Sequence, residues 1–224
     1  MNEASKSVRL YPEVFNRYLN DRNLRILDIG AGEDPVTDFA FGWDLEQGNA
    51  ECIDELIDST SWDVVFASHC LEHMTDPSDA LKRWFTLVKP NGVLIILIPD
   101  EQLYEQGFFP SIFNSDHKAT FSMTNSRSGQ SKQSIFVPDM ISKLEKELDE
   151  KIEVEYLAVQ DANYDYKLLK EAKFSKALFR FSPKLFWRLK PLLDSLEIVP
   201  VDQTRSKNVV AQICFVLRRN KNYK

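Results

Sequence analysis

Leu27-Asp28-Ile29-Gly30-Ala31-Gly32 is the stretch on which the fold turns. The residues from Leu24 to Ile29 read as a short strand that breaks at the glycines. An acid stands near its end, and Gly30 and Gly32 free the chain to turn sharply and to approach a ligand closely. In open α/β sheets, ligands bind outside the carboxyl ends of strands, where the strand order switches. Phe39 to Trp43 reads as a second short strand, closed by Asp44. A carboxylate there can accept hydrogen bonds from both hydroxyls of a ribose. Together, glycine loop and closing acid point to a nucleoside-bearing cofactor without saying which one.

Outward from this point, strands and helices alternate. Residues 8 to 20 have helical apolar spacing and read as one amphipathic helix leading into the domain. Trp62 to Ala67 is a third strand, and Asp76 to Val88 a helix closed by Pro90-Asn91-Gly92. Val93 to Ile98 is β-branched and apolar, as expected of a central strand covered on both faces. A loop-rich insertion spans about 99 to 137, and its most polar part, Thr124 to Ser134, reads as a mobile loop. Residues 138 to 150 read as a helix and 152 to 159 as a strand. Residues 165 to 196 read as helices interrupted at Pro183 and Pro191, and 209 to 217 as the last strand. This order predicts an α/β layered fold with a largely parallel sheet, in a single domain over 1–224.

Four ordered segments, ILDIGAG, GWDLEQGNAE, SWDVVFASHCLEHMTDP and ALKRWFTLVKPNGVLIILIPD, together resemble class I S-adenosylmethionine-dependent methyltransferases. The resemblance covers about residues 24 to 100, and AQICFVLRR fits the end of the same Rossmann-like fold, with an antiparallel last strand. It implies S-adenosyl-L-methionine as cofactor and S-adenosyl-L-homocysteine as product. It places Asp28, Gly30 and Gly32 beside the methionine part, Asp44 on the ribose, and Asn49 or Ala50 near the adenine. Ala67, Ser68 and His69 would lie near the sulfonium. A Rossmann dehydrogenase fits less well, because the third glycine of GxGxxG is absent. The chain also departs from the methyltransferase pattern there, with Asp34-Pro35. Sixteen positions from Asp28 to Asp44, and nineteen more to Asp63, leave too little chain for the usual helices and strand. The flank holding the second and third strands is therefore expected to be trimmed, with an edge strand missing. This trimmed form resembles small methyltransferases encoded with bacterial capsule and lipopolysaccharide enzymes. That resemblance implies O-methylation of a sugar or phosphate-linked group. The alternatives are N-methylation of an amino sugar or small amine, and a non-catalytic cofactor-binding partner of a glycosyltransferase.

His69-Cys70-Leu71-Glu72-His73 matches H-x-x-E-H, in which two histidines four apart on a helix can share a zinc ion. The chain has three histidines, and His117 stands in a separate loop, so no metal is assigned. His73 reads as a helix-packing residue or as one supporting the site from behind. The insertion carries Tyr104, Phe108, Phe109 and Phe113, expected to wall the site against water. Its polar cluster, Asn114 to Lys118, contains His117, expected as general base because an imidazole titrates near working pH, with Asp116 orienting it.

Composition bounds the rest. The 224 residues carry a net charge of −6, which argues against nucleic acid as a partner. The Asn/Asp-Pro-Pro-Tyr loop of enzymes that methylate base or amide nitrogens is absent. Three cysteines (Cys52, Cys70 and Cys214) form no CxxC pair, and the first residues lack the apolar core of a signal peptide, so a cytoplasmic setting is expected. Residues 165–190 interleave eight Lys and Arg residues with leucines and aromatics against only Asp165 and Glu171. Such a segment suits an anionic membrane surface or a phosphate-bearing substrate, or forms an ordinary cationic face. Oligomeric state and acceptor identity are not legible.

Overall fold

The computed structural model describes residues 3–124, 134–171, 173–196 and 198–220, so most of the polar loop after Thr124 lies outside the described residues. The chain opens with two helices, α1 (Glu3–Leu10) and α2 (Pro12–Leu19), where the spacing predicts one. Pro12 is the cause. Its ring disfavours helical backbone in the residue before it, and Tyr11 sits at φ −130°, ψ 54°. Pro12 then starts the second helix, where its missing N–H costs nothing.

Strand β1 (Ile26–Ile29) leads through the glycine turn to β2 (Phe41–Trp43), with no helix between them. A short 3₁₀ turn, Ala50–Glu55, precedes β3 (Trp62–Ser68), and another, Leu71–His73, follows it. Helix α3 (Pro77–Leu87) is capped by Asp76, which accepts from the N–H groups of Ser78 and Asp79 at 3.0 and 3.1 Å. It feeds β4 (Val88–Pro99). The insertion contributes a parallel pair, β5 (Thr120–Ser122) and β6 (Ser134–Phe136). Then come α4 (Val137–Leu148), β7 (Ile152–Gln160), α5 (Tyr166–Glu171), α6 (Lys173–Phe181), α7 (Pro183–Ser195) and β8 (Gln212–Arg219). Pro183 starts α7 as expected, but Pro191 lies inside the helix without ending it.

The main sheet runs β2-β1-β3-β4-β8-β7. Its first four strands are parallel, and β8 runs antiparallel between β4 and β7. Among the described residues no strand lies outside β2, so the expected trimming of that flank is present. Period-two alternation sorts the core into two layers. Leu27, Ile29, Val65, Leu94, Ile96, Phe215 and Leu217 face α3 and α4 through Leu81, Trp84, Met140 and Ile141. Ile26, Val64, Phe66, Val93, Ile95 and Val216 face α1 and α2 through Ala4, Val14, Phe15 and Tyr18. The amino-terminal helices thus cover the face that the missing crossover helix leaves open. The chain leaves β1 for β2 on one side, and β3 pairs on the other. The strand order therefore switches at the carboxyl end of β1, beside that of β3.

Candidate active site

The turn after β1 is built for close approach. Gly30 has φ +75°, and a Cβ there would stand 2.9 Å from the Cβ and Sγ of Cys70, so no other residue fits. Gly32, at φ +52°, donates its N–H to Asp44 Oδ2 at 3.0 Å. Asp28 is buried at the end of β1 and accepts from the Val36 N–H at 2.6 Å, closing the loop beneath itself. Burial pushes its carboxyl up to about 7, against the pull of that N–H. Asp44 follows β2 directly. Its Oδ1 accepts from the Leu45 N–H at 2.7 Å, and the side chain is only half-buried, so the carboxylate stays at the lip of the cavity.

Two cavities meet along this edge. One, about 450 Å³, is lined by Asp28, Gly30, Gly32, Ser68, Tyr104 and His117 among others. The second, about 650 Å³, is lined by Trp43, Asp44, Asn49, Ala50 and Met74 among others. They share Gly30, His69 and His73, and both volumes suit a ligand pocket, typically about 300–1,000 Å³. Ser68 Oγ, at the end of β3, is buried with no hydrogen-bond partner and borders the first cavity. His69 sits at φ +51°, a left-handed conformation seldom taken by residues other than glycine. A nucleoside attached to an amino acid fits this arrangement. Its ribose would meet Asp44, and its charged end would meet the Gly30–Gly32 turn and Ser68. The Cys70 thiol is pushed up by burial and by Glu72 and Asp44 nearby.

Beyond the shared edge stands a compact polar group. Glu72 lies in the 3₁₀ turn after β3 with 0% exposure, and neither carboxylate oxygen has a hydrogen-bond donor. His69 Nδ1 approaches its Oε1 at 3.4 Å and His117 Nε2 at 3.9 Å. Burial opposes the charge on Glu72, yet the imidazoles around it hold its carboxyl below the ordinary range. Burial likewise disfavours a charge on His69, but Glu72 outweighs it and raises that imidazole above its usual value. Tyr104 leans over the group, its ring 5.5 Å from that of His117 and 6.3 Å from that of His69. The insertion is held here by its backbone: the N–H groups of Lys118 and Ala119 both donate to the Glu72 carbonyl, at 2.8 and 3.3 Å.

Several expectations need correcting. Asp116 does not orient His117. Its carboxylate, 77% exposed, turns to His73 Nδ1 at 3.0 Å. The partner of His117 is Glu105, buried one turn after the end of β4, whose Oε1 lies 2.6 Å from Nδ1. Adjacent residues seldom point the same way, and the loop carries Asp116 outward while His117 turns in. His73 stands in the 3₁₀ turn after β3 and borders both cavities, so of its two readings the helix-packing one is set aside. The Ala67 side chain belongs to the apolar core and lines neither cavity. Asn49 is exposed at the second cavity and caps the 3₁₀ turn, its Oδ1 accepting from the Glu51 N–H at 2.9 Å. Of the aromatic wall, Tyr104 lines the first cavity and Phe113 meets it edge-on at 5.9 Å from behind, whereas Phe108 packs on Phe179 and Phe186 away from the site. The sequence reading missed Glu72, Glu105 and the contribution of Glu3 and Ala4 from α1. Only Glu72 carried a signal, as the acid inside H-x-x-E-H.

Comparison with known proteins agrees with this geometry. A family model described as a methyltransferase domain matches residues 4–135. A Bacillus halodurans protein proposed to be a methyltransferase superposes with a TM-score of 0.55 at 14% identity, over 94% of this chain and 98% of its own. The YcgJ protein of Bacillus subtilis gives 0.53 at 12% identity, over 96% and 99%. A Haloferax volcanii protein proposed to be a methyltransferase, solved with the Trm112 methyltransferase activator, gives 0.52 at 11% identity, over 98% and 92%. At such identities these likenesses concern the fold alone. No curated protein matches the chain.

Proposed function

The chain belongs to the methyltransferase-domain family and is an S-adenosylmethionine-dependent methyltransferase, and on that premise we propose that it methylates a hydroxyl of an uncharged, sugar-like small molecule. The observation that carries this reading is the lining of the first cavity. It presents Glu3, Glu33, Asp34, Glu72, Ser68, Tyr104, Asn114 and three imidazoles, with no Lys or Arg among them. Such a wall offers hydrogen-bond acceptors to a polyol and repels a phosphate. The phosphate-linked acceptor therefore gives way to the sugar hydroxyl.

Bound S-adenosylmethionine supplies a methyl group on a positively charged sulfonium. The residues of the chain do the rest. Asp44 orients the ribose, and the Gly30–Gly32 turn lets the backbone approach the amino-acid portion. Tyr104, backed by Phe113, excludes water from one side of the acceptor. Holding both partners in near-attack geometry contributes several kcal/mol of the barrier reduction. The proton of the acceptor leaves toward Glu72, His73 and His117, and His117 is held in place for that by Glu105. The acid-rich wall also suits a cationic amine, which makes an amino sugar the second reading.

The experiment is methyl transfer from labelled cofactor to matched acceptors: neutral sugars, amino sugars and sugar phosphates. Surface-polysaccharide precursors come first, following the resemblance read from the trimmed flank of the sequence. Turnover of neutral sugars over sugar phosphates is expected. Preference for the phosphates would overturn the reading, and preference for the amino sugars would install the second.

The segment 165–190 supports a place of work at an anionic membrane surface. No helix among the described residues is long and apolar enough to cross a membrane. Yet Phe181 is 87% exposed, and Phe174, Leu185 and Trp187 are exposed too, among exposed Lys173, Arg180, Lys184 and Arg188. Co-sedimentation with anionic vesicles at low salt, reversed by salt, is expected; no binding would sink this part.

A further inference from the structure

The group formed by Glu72, His73 and His117 has more lone pairs than donors. His117 gives its Nδ1–H to Glu105 at 2.6 Å, and His73 gives its Nδ1–H to Asp116, at 3.0 Å to the carboxylate and 3.2 Å to the carbonyl. In both rings Nε2 is then left as a lone pair. His69 is fixed the same way: Gln212 spends its amide N–H groups on Ser7 and Gln160, so its oxygen accepts from His69 Nε2 at 3.1 Å. In the neutral form of each ring, the nitrogen left over faces a buried carboxylate that itself can only accept. A carboxylate removed from water without donors is strongly disfavoured unless a cation stands beside it.

We propose that Glu72, His73 and His117 bind a divalent transition-metal cation at the acceptor side of the methyl-transfer site. One donor atom from each of the three lies within 4.8 Å of the others. Donors around one ion at about 2.1 Å stand roughly 3.3–4.2 Å apart, so small side-chain rotations close the site. Two imidazoles and one carboxylate suit zinc and its neighbours in the first transition row, and they leave coordination positions open. Glu105 and Asp116 then act as the carboxylate and carbonyl partners that orient ligating histidines. The ligand set differs from the pair of histidines suggested by H-x-x-E-H, because residues 71–73 form a 3₁₀ turn instead of an α-helix and His117 arrives from the insertion.

The role of the ion rests on the proposed hydroxyl methylation. An acceptor hydroxyl on an open coordination position loses its proton to water more readily, because the cation stabilises the resulting oxyanion. The oxygen lone pair forms the bond to the methyl carbon as the carbon–sulfur bond breaks, its electron pair going to sulfur. His117 then serves as a ligand, and the ion replaces free imidazole as the agent of deprotonation.

The test uses the full chain, stripped with chelator and titrated with Co²⁺ while visible absorption is followed, with Zn²⁺ as competitor. One equivalent of Co²⁺ with a visible ligand-field band, displaced by Zn²⁺, is expected. Glu72→Gln and His73→Ala should each weaken binding at least about 10-fold. His73 is partly exposed, so its variant keeps the test alive if the buried Glu72→Gln variant does not fold. No stoichiometric uptake, or uptake unchanged in His73→Ala, overturns the proposal and leaves a protonated imidazole as the counter-charge of Glu72. S-adenosylmethionine binding is measured on the same samples. Cofactor binding without Co²⁺ uptake defeats only the cation; Co²⁺ uptake without cofactor binding defeats only the cofactor site.

Discussion

At the scale of single residues, the site works by burying groups that resist burial. Asp28 and Asp100 close the ends of β1 and β4, and burial raises their carboxyls above the ordinary value, to about 7 and about 6. A carboxyl whose pKa is higher in the folded chain holds its proton longer there. Its contribution is therefore most favourable below the unfolded value near 3.8 and is lost as pH rises through about 6 for Asp100. Asp100 Oδ1 accepts from the N–H groups of Gln102 and Leu103, both at 2.9 Å, and an asparagine oxygen can do the same. Asp100→Asn should therefore unfold later than the wild type in urea at pH 8, by about 1–3 kcal/mol, with the gap closing by pH 4. Parallel pH profiles for the two proteins would refute this. That Asp28, Gly30, Gly32 and Asp44 meet at a cavity edge was legible in advance, because the strands that end at them could be read. Glu105 was not, since its bond to His117 spans twelve residues of irregular chain and depends on how the insertion folds.

At the scale of elements, short apolar runs bounded by turn residues predicted β1, β3 and β4 well, since each strand is covered on both faces. The break between α1 and α2 was hidden because apolar spacing continues across Pro12 and masks the backbone constraint. The insertion and the α6–α7 pair were legible as helix or loop, but not in how they dock. Phe108 supplies the dock: its ring is fully buried, 5.1 Å from Phe179 and 5.4 Å from Phe186. Phe108→Ala should cost about 3–5 kcal/mol in the packing of this unit. Amide exchange across 173–195 should then quicken while β3 and β4 keep their protection. Equal loss of protection in the sheet would show that the pair is not a separable unit.

At the scale of the whole molecule, a shortened α/β sheet keeps its switch point and hangs the insertion after β4 over it, with α6 and α7 docked on that insertion through Phe108. The trimmed flank removes a strand beyond β2, yet Asp44 remains at the carboxyl end of β2 with its carboxylate at the cavity. The first cavity then receives lining from two parts of the chain far apart in sequence, Glu3 and Ala4 from α1 and Tyr104, Asn114 and His117 from the insertion. Spacing between Asp28 and Asp44 foretold the trimming, whereas no local pattern announces that an amino-terminal helix will line the site. The central claim is that this pared sheet still holds S-adenosylmethionine by the Gly30–Gly32 turn and Asp44. Calorimetric titration with S-adenosylmethionine and S-adenosylhomocysteine, wild type against Asp44→Ala, tests it most directly. The account predicts binding on the order of micromolar that weakens at least about 10-fold in Asp44→Ala, a loss of about 1.4 kcal/mol or more. Absence of binding to the wild type, or equal affinity in the variant, would contradict it.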